Sequence, residues 1–303
     1  GRASGDRAFL VAAIDADDRA GGVFRVRVAP GAIHRVAVEG PAHDTRMPGP
    51  VFAQLCEKAD RVHVVMVDPR HQAAAWAGRR SAAAERGGEL RRLALAAEDS
   101  GFDSIWVPDR TVFPTDISVR YPGQFGAPGS IPDSQQVLEP VTAMSFLAGS
   151  TSRIKLGFNV VVLPFRNPVL NAKMVATLDV LSGGRVIFGV GVGWMPEEFE
   201  AMGASYEDRG ALTDEHIEMF KSLCTQDVPE YRGRHLSTGG NTFYPKSAQK
   251  PYPPIIFGGE TPAALRRAAR HASGWIGMWY QPEDVRPYVD KLTELRKAEG
   301  RDK

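Results

Sequence analysis

The sequence predicts an α/β chain wound as successive β-α-β units around a parallel sheet, with six of the eight strands of a (β/α)8 barrel. Three observations predict it. Leu156 to Leu163 is a near-continuous apolar run of strand length, as expected of a strand buried on both faces of a parallel sheet. A helix follows without a gap, with Asn167 offering the N-cap, Pro168 in the first helical position and Val169, Ala172, Val175 and Ala176 as its buried stripe. Gly183-Gly184 then supplies the positive φ that ends this helix, and Arg185 to Val190 is the next strand, so a right-handed crossover is expected.

In chain order, residues 1–60 form an N-terminal segment of no assigned role, and residues 61–303 the barrel domain. Within the first segment, Val23 to Val28 and Ile33 to Val38 alternate around Pro30-Gly31 and predict a hairpin. Val62 to Val67 reads as a strand, and Leu90, Leu93, Ala94 and Ala97 as a helical stripe that Gly101 terminates. Ser104 to Val107 is the next strand. Residues 112–138 are rich in proline and glycine, as in Tyr121-Pro122-Gly123 and Ala127-Pro128-Gly129. So long a connection after a strand's C-terminal end is expected to overhang the ligand-binding face of the sheet. A helix at Glu139 to Leu147 leads into the central strand.

Beyond Trp194 come an acidic turn at Glu197 to Glu200, a helix from about Leu212 to Cys224, a strand at Ile255 to Phe257, a helix at Ala263 to Ala272, a strand at Trp275 to Trp279 and a charged helix from Pro282 to Ala298. No loop chemistry before residue 60 matches a seventh or eighth unit, so the barrel is expected to be incomplete at its C-terminus rather than completed by residues 9–38.

Charge and composition exclude several classes. A net charge of +1 over 303 residues, with 43% hydrophobic residues, calls for neither nucleic acid nor an anionic membrane. No apolar run is long enough to span a bilayer and the first residues lack a signal peptide's apolar core, so a cytoplasmic protein is expected. Cys56 and Cys224 lie far apart, and Cys224 shares a helical stripe with Ile217 and Phe220, so a buried core thiol is expected. The seven histidines show no metal-ligand spacing, so no metal site is expected, and no nucleophile elbow or P-loop is present.

Three stretches carry candidate chemistry. Gly189-x-Gly191-x-Gly193 lacks the full dinucleotide fingerprint, and it serves either close approach to a flat ligand or a tight strand exit. Gly258-Gly259-Glu260-Thr261-Pro262 is either an anion site, a helix N-terminus aimed at a phosphate, or a plain capped junction. Asp109-Arg110, at a strand's end, carries either chemistry or an ion pair that closes the loop.

Gly101-Phe102-Asp103-Ser104-Ile105-Trp106-Val107-Pro108-Asp109, Leu156 to Val160 with Leu163 to Pro168, and Leu178-Asp179-x-Leu181-Ser182-Gly183-Gly184-Arg185 with Gly189 to Trp194 together resemble the bacterial luciferase-like monooxygenase family. The look is nearest to its deazaflavin oxidoreductases, which use coenzyme F420. Pro245-Lys246, Gln249-Lys250-Pro251 and Gly258-Gly259 extend the match over roughly residues 89–298.

The resemblance implies a TIM barrel of luciferase-like type, with a flavin or deazaflavin ring at its C-terminal mouth. It implies a non-prolyl cis peptide at Asn159-Val160 behind the ring, Gly191 and Gly193 lining the ring pocket, and a phosphate grip at Gly258, Gly259 and Thr261. Asp109 would face the ring, Asp109 and Arg110 would polarise substrate or ring, and Trp194 would wall the pocket.

Two departures stand out: relatives commonly have His where this chain has Arg110, and the sugar-phosphate dehydrogenase branch has Glu where it has Trp194. The expected activity is hydride transfer between coenzyme F420 and a small organic substrate. The alternatives are an FMN monooxygenase using dioxygen and a separate reductase, and a non-catalytic flavin-binding protein or inactive fragment. Since the family often dimerises, a homodimer is expected.

Overall fold

The structure, a computed structural model, describes residues 83–99, 102–120, 137–277 and 282–301, together with four short strands before residue 66. Those strands are β1 (Val11–Ala13), β2 (Arg25–Arg27), β3 (Ala37–Glu39) and β4 (His63–Val65). The barrel units follow as α1 (Ala83–Asp99), β5 (Ser104–Val107), α2 (Ile117–Arg120), α3 (Pro140–Ala148), β6 (Lys155–Phe158), β7 (Val161–Val162) and α4 (Pro168–Leu181). Then come β8 (Val186–Gly191), α5 (Pro196–Ala201), α6 (Arg209–Thr225), β9 (Tyr231–Arg232), β10 (Ser237–Thr238), β11 (Ile255–Gly258), α7 (Pro262–His271), β12 (Gly274–Ile276) and α8 (Pro282–Ala298).

The main sheet runs β1-β4-β5-β6-β8-β11-β12, with β7 also paired to β8, and every pairing in it is parallel. Neighbours in space are neighbours in sequence, which is single winding. Because parallel crossovers are right-handed, single winding puts the helices on one face and curls the sheet toward a barrel. The described strands form an incomplete (β/α) barrel.

Residues 9–38 were not expected to supply a barrel strand, yet Val11–Ala13 pairs with His63–Val65 and extends the sheet beyond β4. A three-residue strand carries too short a pattern to be read from sequence alone. The two strands of the expected hairpin pair antiparallel, with Arg25 opposite Glu39 and Arg27 opposite Ala37, while Pro30-Gly31 and residues 33–36 lie outside the described residues.

Alternation along the strands divides the core in two. Ile105, Val107, Leu156, Phe158, Val186, Phe188, Val190, Ile255 and Phe257 face the helices in one continuous cluster. Phe158 meets Phe188 edge-on at 6.4 Å, and Phe188 reaches Phe220 of α6 at 4.8 Å. Trp106, Ile187, Ile256 and Ile276 fill the barrel interior, with Val160 against them.

Trp106 needs its partner strand to be bare. A Cβ on Gly157, directly opposite in register, would lie 2.5 Å from the indole. A Cβ on Gly189 would lie 1.7 Å from the Phe158 carbonyl oxygen.

The helix termini follow the sequence closely. Asn167 Oδ1 accepts the Leu170 N–H and starts α4, Glu139 accepts the Thr142 N–H at α3, and Gly183 and Gly184 take φ of 67° and 83°. Two stripe positions differ from expectation: Leu93 and Val169 are exposed, while their companions Leu90, Ala94, Ala97, Ala172, Val175 and Ala176 are buried. Gly101 and residues 278–280 lie outside the described residues. The run from Leu156 to Leu163 is two strands broken at Asn159-Val160, and the Glu197 to Glu200 turn is the short helix α5. Cys224 is a buried free thiol that burial pushes up to about 11.

The N-terminal rim of the sheet is tied by polar groups. Glu98, almost fully buried, accepts the backbone N–H groups of Ser152, Arg153 and Ile154, which hold its carboxyl down at about 2 against the cost of burial. Arg185 donates to the carbonyls of Ser182, Ile154, Ala148 and Thr151 and to Thr151 Oγ1. Asp179 accepts from Gln249 N and Nε2.

Two outcomes follow for stability. Glu98→Gln should cost about 2 kcal/mol at pH 7 in urea melts, since one of the cradled N–H groups loses its charged acceptor. The folded carboxyl titrates below the unfolded one, so wild-type advantage is fully present above the unfolded value of about 4.5 and should shrink as pH falls toward about 2. Gly189→Ala should lower stability by about 3 kcal/mol or abolish soluble expression, because a backbone carbonyl cannot move aside.

Candidate active site

The C-terminal rim of a (β/α) barrel is where side chains from several strand ends converge. Here it carries Asp109 and Arg110 after β5, Asn159 and Val160 between β6 and β7, Gly191 to Trp194 after β8, and Gly258 to Thr261 after β11.

Val160 is the centre of this rim. A Cβ on Gly191 would lie 2.5 Å from Val160 Cγ2, and one on Gly258 would lie 2.8 Å from Val160 Cγ1. The two glycines from adjacent strands therefore seat one isopropyl group, which stands on the plug of Trp106, Ile187, Ile256 and Ile276 and forms an apolar floor to the mouth. The Asn159-Val160 peptide is cis, as the resemblance implies.

Gly193, at φ 76°, faces Val162 and Phe199, either of which would be 2.7 Å from an added Cβ. Space beside Gly191 and Gly193 is thus filled by protein side chains. At β11, Gly259 takes φ 112°, its carbonyl accepts the Trp275 indole N–H at 2.8 Å, and Thr261 Oγ1 accepts the Ala264 N–H as the N-cap of α7. The α7 N-terminus opens on the same rim, since the helix starts four residues after β11 ends.

Asp109 and Arg110 diverge. Asp109 is buried and accepts the Val162 N–H at 2.9 Å and both Nε and Nη2 of Arg166, the latter at 2.8 Å. Burial pushes its carboxyl up, against the pull of Arg166 and that N–H. Arg166 Nη1 also reaches Glu139, so one guanidinium joins the end of β5 to the cap of α3, the two feet of the long connection.

Arg110 turns the other way. Its Nη1 donates to Glu198 Oε2 at 2.6 Å, while Glu198 Oε1 accepts the Thr111 N–H at 2.6 Å. Arg110 lies 5.1 Å from the Trp194 ring and 5.6 Å from that of Phe113, in contact with both π faces. Glu198 is all but inaccessible, and burial pushes its carboxyl up against the Arg110 charge and the Thr111 N–H. Arg120 adds an exposed pair with Glu197 at 2.7 Å. Both partners of this arrangement, Glu198 and Arg166, were missed by sequence reasoning. The one available signal was Phe199, an aromatic inside the acidic turn, which marks that turn as a helix with a buried side.

The fold is thus a curled, singly wound parallel sheet with a glycine-seated apolar floor at its mouth and a helix N-terminus on the same rim. The chain belongs to the luciferase-like monooxygenase family, whose model matches residues 62–303. An uncharacterised protein of Mycobacterium tuberculosis is 35% identical over 213 residues, 69% of this chain and 72% of that protein. The FMNH(2)-dependent dimethylsulfone monooxygenase of Pseudomonas putida is 30% identical over 69% of this chain and 54% of its own length. Among solved structures, the coenzyme F420-dependent tetrahydromethanopterin reductase of Methanopyrus kandleri superposes with a TM-score of 0.57 at 25% identity, covering 71% of this chain and 59% of that one. This chain spans 59% to 62% of the length of such solved structures. No helix among the described residues is long and apolar enough to cross a membrane.

Removing Arg166 leaves the buried Asp109 carboxylate unpaired. Arg166→Met should destabilise the fold by about 3 kcal/mol in urea melts, and adding Asp109→Asn should recover part of that loss.

Proposed function

We propose that the protein is an oxidoreductase that moves a hydride between coenzyme F420 and a small organic substrate at the C-terminal mouth of the barrel. The observation that carries the reading is the Val160 floor seated on Gly191 and Gly258, beside the N-terminus of α7.

These residues fit a ring with a phosphate-bearing tail. The floor is apolar and fixed, so a planar ring would lie on it without desolvating a polar group. The first turn of α7 has N–H groups without helical partners and the positive end of the helix dipole, which suit a phosphate at Gly258-Gly259. Thr261 serves that grip indirectly, by capping the helix. When bound, the deazaflavin would supply the hydride chemistry, and everything else falls to the chain. Val160 would set the height of the ring, Trp194 would wall it, and the Asp109-Arg166 pair would keep β7 and the loop after β5 in place. Holding donor and acceptor within about 3 to 3.5 Å is the geometric demand that such rigidity meets.

A second reading, an FMN-dependent monooxygenase, is favoured by the likeness to the Pseudomonas putida enzyme. Both groups share a ring plane and a phosphate tail, so the floor and the helix N-terminus suit either.

Titration of the protein with oxidised F420, followed by deazaflavin fluorescence, and with FMN in parallel separates them. F420 should bind saturably and at least about tenfold more tightly than FMN, roughly 1.4 kcal/mol. Tighter FMN binding would select the monooxygenase reading, and saturable binding of neither would sink both.

A further inference from the structure

We propose that Arg110 binds an oxygen atom of the substrate through its Nε–Nη2 edge, and that buried Glu198 is the positioning residue that aims this edge into the mouth. The proposal rests on placing the reaction at the mouth, as above.

Its basis is a contrast among the arginines of this chain. Arg185 uses Nε, Nη1 and Nη2 on five acceptors, and Arg166 uses all three nitrogens on Asp109 and Glu139. Those are arginines whose task is to hold the fold, and each of their guanidinium nitrogens is engaged. Arg110 is as enclosed as Arg166, each side chain being 14% exposed, yet only Nη1 is engaged, with Glu198 Oε2 and the Met195 sulfur. Nε and Nη2 have no partner among the described residues.

The guanidinium is nevertheless held. Contacts with Trp194 and Phe113 restrict its plane, and the Glu198 contact stops its rotation within that plane. A buried carboxylate is costly to keep, and holding the N–H of the exposed Thr111 alone would offset little of that cost. An oriented side-on edge with two parallel N–H donors is the arrangement that meets a carboxylate in bidentate fashion or takes a carbonyl oxygen. Trp194, 41% exposed, adds an indole face beside it, which favours a flat or aromatic body attached to that oxygen.

The test uses two probes, benzoate for a carboxylate and acetophenone for a neutral carbonyl, added to protein labelled with nitrogen-15 arginine. The Arg110 Nε–H resonance, assigned by its loss in Arg110→Lys, should shift saturably with one probe, and which one moves it names the acceptor class. Arg110→Lys keeps a cation for Glu198 but lacks the edge, so it should stay folded and bind that probe at least tenfold more weakly by calorimetry. Glu198→Gln should keep the Arg110 resonance but broaden it, with about tenfold weaker probe binding.

The proposal is overturned if neither probe moves the resonance, or if Arg110→Lys binds as tightly as wild type. The positioning role alone is overturned if a folded Glu198→Gln protein binds with wild-type affinity. Should Glu198→Gln not fold, Glu198→Asp replaces it, with the same two outcomes. Cofactor titration of the same samples separates the readings. F420 or FMN binding with a silent Arg110 resonance sinks this inference only, and a responding resonance without cofactor binding sinks only the function proposed above.

Discussion

The barrel interior is organised by one steric constraint, the lodging of the Trp106 indole in the space that a side chain at position 157 would fill. A tryptophan is too large for a strand interior unless its neighbour across the ladder contributes nothing, and glycine in a strand costs backbone entropy that this packing offsets. The indole N–H is met by Ser104 Oγ at 2.8 Å on the same inward face, so the plug leaves no orphaned donor. Once Trp106 is seated, Ile187, Ile256 and Ile276 close around it and Val160 rests on top. The floor of the mouth is therefore the upper surface of the core, and its rigidity is inherited from it.

The two ends of the sheet divide the work. At the N-terminal rim, Glu98, Arg185 and the Asp179-Gln249 pair satisfy backbone groups where helices hand over to strands. At the C-terminal rim the charges pair across the sequence, Asp109 with Arg166 and Arg110 with Glu198, and fasten the start of the long connection to elements on either side. The residues between α6 and β11 that extend the family resemblance fall on the structural side of this line. Lys246, part of the proline-lysine stretch, donates to the carbonyls of Leu223 and Gln226 at the end of α6, and Gln249 bonds Asp179 and the Val186 carbonyl. These residues serve the fold.

Much of the architecture was legible because its signals are local. Asn167-Pro168 and Gly183-Gly184 each act within a few residues, and the central strands are continuous apolar runs. Errors arose where a local pattern was silent about neighbours. Leu93 and Val169 fit a helical stripe by spacing, but each sits one step beyond the face that its helix buries. In the candidate site, the positions at strand ends were readable and their partners were not. Asp109 meets Arg166 across 57 residues and Arg110 meets Glu198 across 88, separations at which no spacing rule operates. Gly191 and Gly258 were legible as positions of close approach, but the side chain that fills the space beside them, Val160, was not.

Val160 and its two glycines also bear on how this chain can change. The three positions come from three different strand ends, yet each is tolerable only in the company of the others: a methyl group at 191 or 258 meets the valine, and the valine needs both gaps. Substitutions there should behave as a linked set, with alanine at either glycine admissible after position 160 has shrunk and harmful before. A lineage could alter the depth of the mouth only by passing through that order of steps, so mutational history is constrained at the point where a bound ring would rest.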